Sequence, residues 1–280
     1  MSEAPTRRSF SPTMKLIFSE HVSDYPHYVF PYAIWGIPDK GETPSQMFDA
    51  GFLPSSRKLD RFYLCRHVRV DSRKFKLSSE NRRVLRKGGS ISFELVPREK
   101  FDFTKERRAF FKAYADIKFG KDVMSLARLD ALFDSPIVSH LLVFTDTKTG
   151  AEVGAATLYL EGDELAFYYY AFYDLNYFQR NLGIFMMTSA VAEFAQRGTR
   201  HLYLGSCYSE NALYKTQFAG AEFFNGFRWS HNLKELKYLL KRDKPGAEQH
   251  LVETEEFQQQ FYDGELKRII NASQFGGPLG

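Results

Sequence analysis

The sequence contains little cysteine. Only Cys65 and Cys207 occur among its 280 residues, which argues against a disulfide framework. Two thiols cannot by themselves complete the four-ligand set of a structural zinc ion. We therefore expect no bound metal, and nothing in the composition calls for a cofactor.

The sequence also lacks a long hydrophobic run. Its longest apolar stretch, residues 183–195, is interrupted by Thr188, Ser189 and Glu193 and is shorter than the about 18–20 residues of a membrane span. Residues 1–11 lack the apolar core of a signal peptide. We expect a cytoplasmic protein that has no membrane partner.

The chain as a whole carries little net charge, but one segment of it is strongly basic. The formal net charge is +4. Residues 57–87 contain twelve Lys or Arg against three acids, a local charge of +9, so the rest of the chain sums to −5. Such asymmetry indicates either a polyanionic partner or a solvated basic face paired with acids elsewhere in the fold.

The pattern of apolar residues predicts an α/β protein with a mixed sheet. Residues 1–13 are polar and predict a disordered lead, 14–100 a smaller basic N-terminal domain, 101–242 the main domain, and 243–280 a polar tail. From residue 101 the predicted order is helix, helix, three strands, helix, strand, helix, strand. This is the element order of GNAT acyltransferases, although other α/β folds share parts of it.

The stretch 167–229 is the most informative. An aromatic strand, 167–173, precedes a polar loop and a helix over 182–196 that ends in Arg197-Gly198. A helix N-terminus beside two strand ends favours a phosphate or a developing oxyanion. GNAT enzymes seat coenzyme A on a loop that ends in a small residue. Arg180 and Gly183 match that loop, but the bulky Phe185 argues against coenzyme A.

Three segments in register resemble the aminoacyl-tRNA–protein transferases of the arginyl and bacterial leucyl type. They are Cys65–Asp71 with Phe75–Lys87, Tyr173–Gly183, and His201–Gly205 with Leu213–Phe218. The resemblance covers roughly residues 50–230. It implies a GNAT-like enzyme that moves Leu or Arg from its tRNA to the α-amine of a protein N-terminus in an N-degron pathway, without coenzyme A.

The resemblance also implies roles for particular residues. Tyr214, Lys215 and Asp174 are the predicted catalytic groups, and the Tyr-Lys pair matches the family motif. Each has a structural alternative: Tyr214 would pack in the core, Lys215 would be an exposed surface lysine, and Asp174 would cap the loop. The basic segment would bind the tRNA backbone. The predicted substrate-binding and tRNA-binding residues are Arg66, Arg69, Arg82, Arg83, Arg86, Lys87, Arg180, Gly183 and Tyr208.

The sequence departs from the family in its cysteines. The family carries an N-terminal cysteine cluster, whereas this chain offers His21, His27, Cys65 and His67. A metal site of these four is formally possible, but lone histidines are more often structural. The family's proline after the Asp174 position is Leu175 here, which places amino-acid specificity in doubt.

Two other functions remain open from the sequence. One is a GNAT acyltransferase that uses coenzyme A or another acyl donor. The other is a non-catalytic module that keeps the fold to bind acidic protein N-termini or RNA. The sequence leaves the transferred amino acid, the acceptor and the oligomeric state undetermined.

Overall fold

An eight-stranded mixed sheet forms the centre of the molecule, with helices on both of its faces. The computed structural model describes residues 14–20, 32–121, 123–243 and 250–275. The predicted lead, residues 1–13, and the two histidines His21 and His27 lie outside these residues. The strands are β1 Lys15–Glu20, β2 Tyr32–Ile37, β3 Phe52–Pro54, β4 Phe62–Leu64, β5 His67–Asp71, β6 Ile91–Pro97, β7 His140–Asp146, β8 Ala151–Glu161, β9 Leu165–Tyr173, β10 His201–Ser206, β11 Ala221–Phe224 and β12 Trp229–Ser230.

The α-helices follow the sequence expectations closely. They are α1 Pro44–Asp49, α2 Ser79–Lys87, α3 Lys105–Lys118, α4 Leu126–Phe133, α5 Leu182–Gln196, α6 Leu233–Asp243, α7 Glu255–Tyr262 and α8 Leu266–Ala272. The bounds of α5 are those that the sequence predicts. In α2 the Ser78 hydroxyl accepts the backbone N–H of Asn81 at 3.0 Å, which fixes the start of the basic helix.

The large sheet has the order β12-β11-β5-β10-β9-β8-β7-β6, and strands β1 to β4 form a separate antiparallel sheet. Only β9 and β10 pair in parallel, through residues 165–167 and 201–203. The other pairs in the described part of the chain are antiparallel. The mixed α/β class of the prediction is confirmed, and the predicted element order is found with one additional strand, β11.

Two cores fill the two faces of this sheet. The first lies between the sheet and α2, α5, α6 and the C-terminal helices, and contains Val84, Met186 and Leu236. The second lies between the sheet and α1, α3, α4 and the small sheet, and contains Phe48 and Phe111.

The strand pairing does not divide the chain into two separate sheets at the predicted domain boundary, residue 100. Strand β5 comes from the basic N-terminal segment, yet it pairs with β10 on one side and with β11 on the other. Strand β6 pairs with β7 along its whole length. The two predicted domains therefore share one sheet, because the five residues of β5 are all buried and need partners on both edges.

The described part of the predicted polar tail is folded. Helices α7 and α8 bury Phe257, Tyr262 and Ile269 in the first core. Strand β11, which precedes this tail, was not predicted, because its four residues are too few for a clear periodicity. Among the described helices, none has the length and apolarity that crossing a bilayer requires.

Candidate active site

The parallel strands β9 and β10 separate after three paired residues, and the gap between them is the candidate site. Residues 168–173 of β9 continue beside β8. Strand β10 instead follows β5, with a register shift between Tyr203 and Gly205. Gly205 has a backbone φ of +84°, which residues other than glycine rarely adopt. We call this gap the fork.

Four tyrosines converge at the fork and form what we call the tyrosine cluster. Its members are Tyr114 of α3, Tyr168 and Tyr173 of β9, and Tyr214 of the 3-10 helix 210–216. The rings of Tyr114 and Tyr173 lie 4.7 Å apart, and burial together with the neighbouring Tyr173 raises the pKa of Tyr114. Tyr214 is 42% exposed and stands at the mouth of the fork.

The hydroxyl of Tyr168 is the most unusual group of the cluster. It is buried, and within the described residues its Oη has no hydrogen-bond partner. Burial raises the pKa of Tyr168 well above its ordinary value, and the neighbouring Tyr214 and Tyr173 add to the shift. The group therefore remains a protonated donor, and leaving it unpaired costs about 1–3 kcal/mol. An acceptor atom of a ligand would remove that cost.

Lys215 supplies a half-buried amine beside the same gap. Its Nζ donates to the backbone oxygen of Ser206 at 2.7 Å. No carboxylate of the described chain forms an ion pair with it. Burial lowers the pKa of Lys215, and Cys207 and Cys65 only partly offset this. The amine thus becomes neutral at a lower pH than a surface lysine, as a proton acceptor needs.

The third predicted catalytic residue, Asp174, makes a local contact. Its Oδ1 accepts the backbone N–H of Asn176 at 2.8 Å, which stabilises the turn that follows β9. The structure therefore brings Tyr214 and Lys215 together at the fork and places Asp174 at its outer end, in a turn contact.

Gly183 lies in the first turn of α5, directly against Tyr173. A Cβ added at Gly183 would come within 2.6 Å of the Tyr173 Oη. The interpretation that Phe185 crowds the donor loop is wrong, because its ring packs into the first core against Gly88 and Phe144. The ring that occupies the start of α5 is that of Tyr173. The Arg180 side chain lies outside what the structure describes.

Two of the predicted tRNA-binding arginines point into the protein. Arg69 is 8% exposed, is held by Asp49 at 2.5 Å and Glu222 at 3.0 Å, and stacks on the Trp229 ring. Burial alone would lower the pKa of Arg69, but Tyr203, Asp49 and Glu222 together raise it. The Arg69 guanidinium is therefore engaged by other residues of the fold.

Arg66 is similarly engaged. Its Nη1 pairs with Asp243 at 2.8 Å, and its guanidinium lies 5.2 Å from the centre of the Tyr208 ring. The Tyr208 hydroxyl accepts the Arg66 backbone N–H at 2.7 Å. Arg66 and Tyr208 therefore join β5 to β10 and α6, and form a wall close to Lys215.

The other predicted tRNA-binding residues lie on an open surface. Arg82, Arg83, Arg86 and Lys87 are all exposed on α2. Arg83 pairs with Glu80, while Arg82 donates to the Leu77 carbonyl oxygen at 2.6 Å. A hollow of about 370 Å³ lies beside Arg82 and Arg86. We call these four residues the basic face of α2.

Cys65 and His67 do not form part of a metal-ligand set in the described residues. No group of three His, Cys, Asp or Glu with suitable placement occurs there. The His67 Nδ1–H donates to the Cys65 carbonyl oxygen at 2.8 Å, and burial lowers the pKa of His67 to about 3. Burial also raises the pKa of Cys65 to about 12, so its thiol stays protonated.

Sequence reasoning missed Tyr114, Tyr168 and Tyr173 as site residues. For Tyr168 the available signal was the run of three tyrosines at 168–170, in which each hydroxyl needs a partner or water. The strand alone could not show which of these hydroxyls points to the fork.

No protein-family model matches the chain. Among curated proteins, the aspartate/glutamate leucyltransferase of Ruegeria pomeroyi is 25% identical over 173 residues, which cover 59% of this chain and 61% of that protein. The proteins of the same name from Rhodospirillum rubrum and Granulibacter bethesdensis are both 28% identical, over 172 and 171 residues. Those matches cover 59% of this chain and 68% and 62% of the relatives. The chain thus spans about three fifths of the length of the Ruegeria relative.

Solved structures show more distant similarity. The C-terminal domain of a putative lysylphosphatidylglycerol synthetase from Agrobacterium fabrum is 16% identical with a TM-score of 0.42, covering 58% of this chain and 51% of that one. A GCN5-related N-acetyltransferase from Sphaerobacter thermophilus is 14% identical with a TM-score of 0.32, covering 57% and 45%.

The sequence relatives support a transferase as the class of this chain. The relatives themselves are aspartate/glutamate leucyltransferases, and the chain is similar to them over a stretch of about 170 residues.

Proposed function

We propose that the protein is an aminoacyl-tRNA–protein transferase that acts in an N-degron pathway. It moves one amino acid from the ester at the tRNA 3′ end to the α-amine of a protein N-terminus. The names of the sequence relatives support leucine rather than arginine as the transferred residue. The observation that carries the proposal is the pair of groups at the fork, the half-buried Lys215 with its lowered pKa and the buried Tyr168, whose hydroxyl has no partner among the described residues.

The reaction is the aminolysis of an activated ester. The α-amine nitrogen attacks the ester carbonyl carbon, and the carbonyl oxygen becomes an oxyanion. Tyr168 has an O–H that no described protein atom accepts, so it is free to donate to that oxygen. Neutral Lys215 takes the proton that the attacking amine must lose. The ester C–O bond then breaks as the tetrahedral centre collapses to the amide, and the ribose oxygen leaves with the proton that Lys215 has taken up, which returns Lys215 to its neutral state.

The basic face of α2 provides a surface for the tRNA. A polyanionic backbone binds to clustered exposed Lys and Arg, and Arg86 and Lys87 have no acidic partner among the described residues. Arg66 and Arg69 are engaged inside the protein, so we assign the phosphate contacts to α2 alone.

The start of α5 disfavours coenzyme A as the donor. In a GNAT enzyme the first turn of this helix exposes backbone N–H groups to a pyrophosphate. In this chain the Tyr173 ring lies over Gly183, with its hydroxyl at the position that a side chain would take. The ring restricts access to the same amides, and this supports a donor that does not need them.

The test is a transfer assay with the full chain. Leucyl-tRNA and arginyl-tRNA carrying a labelled amino acid are each offered with peptides that begin with Asp, Glu, Lys or Arg. We expect label in at least one peptide, loss of transfer in Lys215→Met, and unchanged transfer in the exposed α6 variant Lys241→Met. Acetylation of the same peptides from acetyl-coenzyme A, with no transfer from either tRNA, would contradict the proposal.

A further inference from the structure

Strand β10 contains a β-bulge at the point where it reaches the fork. Residues 201–203 oppose residues 69–71 of β5 one for one, but Gly205 opposes Val68, so that Leu204 is an extra residue. A bulge of this kind places two residues of one strand opposite a single residue of its partner. Each later residue of β10 therefore points to the opposite side from the one it would face in an unbroken ladder.

The hydrogen bonds beyond the bulge show which way Ser206 points. Ser206 opposes His67, and the Cys207 N–H donates to the Arg66 carbonyl oxygen at 2.9 Å. In an antiparallel ladder, a bond between the residue after one member of a pair and the residue before the other marks the pair as non-hydrogen-bonded. The N–H and the C=O of Ser206 therefore both point away from β5.

The side of Ser206 that faces away from β5 is the fork. The parallel pairing of β10 with β9 ends at Tyr203 and Phe167, so in the described sheet no paired strand lies across from Ser206. The carbonyl oxygen of Ser206 shows the same direction, because it accepts the Lys215 Nζ at 2.7 Å. The Ser206 N–H points to the side of this carbonyl, since both groups of one residue lie on one side of a strand.

The bulge is what gives Lys215 its acceptor. Without the extra Leu204, Ser206 would face β5, and its carbonyl oxygen would be taken up by the ladder. Gly205 also keeps the amine accessible, because a Cβ at this position would lie 3.6 Å from the Lys215 Nζ. A side chain there would occupy the space beside the amine and beside the Ser206 N–H.

A backbone N–H beside a proton-accepting amine is a useful pair of groups for the aminolysis of an ester. The N–H is a donor that the strand already holds in its direction, as stabilisation of an oxyanion requires. The Lys215 amine is bound to the carbonyl of the same residue. An ester whose carbonyl oxygen accepts from the Ser206 N–H therefore has its carbon close to the group that takes the proton of the attacking amine.

We propose that the Ser206 backbone N–H donates a hydrogen bond to the oxyanion of the tetrahedral intermediate, as a second donor beside the Tyr168 hydroxyl. This inference rests on the proposed function, because it concerns the same reaction. The amine nitrogen forms a bond to the ester carbonyl carbon, and the electron pair of the C=O π bond moves to the oxygen. Ser206 and Tyr168 donate to that oxygen and keep their protons. When the carbonyl re-forms, the ester C–O bond breaks, and the ribose oxygen takes the proton that Lys215 received from the amine.

The test replaces the Ser206 amide by an ester in the full chain, by ribosomal incorporation of the α-hydroxy analogue of serine. The change removes the N–H and keeps the Ser206 carbonyl that binds Lys215, but it also weakens the Gly205 carbonyl as an acceptor. The matched control is the same replacement at Val68, whose N–H donates to the Gly205 carbonyl in the ladder. The control weakens the same ladder bond and leaves the Ser206 N–H in place.

Transfer from labelled leucyl-tRNA to a peptide is measured for the parent protein and both esters. We expect kcat to fall about 10²–10³-fold in the Ser206 ester, as when one oxyanion donor is lost. The KM values and the pH of half-maximal rate should stay as in the parent, because Lys215 keeps its acceptor. The Val68 ester should lose stability and keep its kcat within about twofold. An unchanged kcat in the Ser206 ester, or an equal loss in both esters, would overturn the inference.

Binding of a tetrahedral analogue separates this inference from the proposed function. The probes are adenosine that carries the phosphonate analogue of leucine on its 3′ oxygen and the planar 3′-leucylamido analogue. We expect the parent and the Val68 ester to bind the phosphonate at least about tenfold more tightly than the planar analogue, and the Ser206 ester to lose this preference. The same preference in the Ser206 ester, or binding of neither probe by the parent, would overturn the inference. A preference that depends on Ser206, found without transfer from any tRNA, would support the inference and contradict the proposed function alone.

Discussion

The Tyr173 hydroxyl lies against the Cα of Gly183, so that a Cβ at position 183 would stand 2.6 Å from the Tyr173 Oη. The contact joins the end of β9 to the first turn of α5. Glycine is therefore required at this helix start by a neighbouring ring. The same ring contacts Tyr114, so the close approach at Gly183 fixes the tyrosine cluster.

The variant Gly183→Ala tests this contact. Alanine within a helix is intrinsically favoured over glycine by about 1 kcal/mol, whereas the clash with Tyr173 opposes it. We expect the clash to prevail, with a lower free energy of urea unfolding and a lower transfer rate. Adding Tyr173→Leu should restore the stability but not the rate. A stabilised Gly183→Ala variant with parental activity would show that the Tyr173 ring is free to move.

The protonation of Lys215 should determine one part of the pH dependence of the transfer rate. Loss of a general base costs about 10²–10⁴-fold in rate, so Lys215→Met should lose activity by that order. Lys215→Arg should be equally inactive, because it keeps the charge but cannot accept a proton. An active Lys215→Arg variant would show that the charge, and not the base, is what the site needs. The rate is measured from pH 6 to 10 with saturating peptide, and any limb that both proteins share belongs to the peptide amine.

The Lys215→Met variant, although expected to lose activity, should not lose stability at neutral pH. Because burial lowers the pKa of Lys215, the unfolded chain binds this proton up to pH values at which the folded chain has lost it. The free energy of unfolding therefore rises with pH between the lowered pKa and the ordinary value of about 10.4. Lys215→Met should lack this rise and should be at least as stable as the parent at pH 7. A marked loss of stability there would mean that the Ser206 hydrogen bond outweighs the burial of the charge.

Tyr168→Phe removes a buried hydroxyl that has no described partner. We expect the variant to be as stable as the parent or more stable by about 1–3 kcal/mol. Its kcat should fall by about 10²–10³, as when a single oxyanion donor is lost. The matched control is Tyr262→Phe, whose hydroxyl accepts from Asn225 at 2.9 Å and contacts Glu235 at 3.3 Å. That variant should lose stability and keep its rate. An unchanged kcat in Tyr168→Phe would exclude the oxyanion role.

Two buried histidines should make the fold sensitive to acid. Burial lowers the pKa of His67 to about 3 and that of His201 to about 4, against about 6.5 in an unfolded chain. Unfolding takes up protons below pH 6.5, so stability falls as pH falls through this window and is constant with respect to these groups above it. His67→Asn keeps a donor for the Cys65 carbonyl oxygen and should reduce the slope between pH 4.5 and 6 by about one proton. An unaltered slope in His67→Asn would place the acid sensitivity elsewhere.

The basic face of α2 should determine the salt dependence of tRNA binding. Each phosphate contact contributes about −0.7 to −0.9 to the slope of log K against log salt. Arg86→Ala/Lys87→Ala should reduce the magnitude of that slope by about 1–2, while Lys100→Ala/Lys105→Ala should leave it unchanged. Equal slopes for all three proteins would exclude α2 as the tRNA-binding surface.

The sequence predicted the elements that depend on local rules. Helix α5 has the predicted bounds because a left-handed Asn181 precedes it and Gly198, with φ of +80°, follows it. Helix α2 begins at its Ser78 cap, which likewise depends only on neighbouring residues. The central position of β5 was not predictable, because its two partner strands lie more than 100 residues away in the chain.

The direction of the site side chains depends on a single irregularity in β9. The pairing of β8 with β9 shifts register between Thr157 and Leu158, which leaves Tyr169 as an extra residue. Without it Tyr168 and Phe172 would share one face of the sheet, since side chains alternate along a strand. In the structure Tyr168 lies in the first core and Phe172 in the second.

The sequence by itself determined the mixed α/β class and the ends of α5, because these depend on residues close together in the chain, while the catalytic role of Tyr214 and Lys215 stays a prediction. Only the tertiary structure decided that Tyr168 points into the fork without a partner, that Arg66 and Arg69 turn inward, and that Lys215 has a lowered pKa. These properties arise from burial and from pairing between distant strands. An amine or a hydroxyl acquires its chemistry from the groups that surround it in the folded chain.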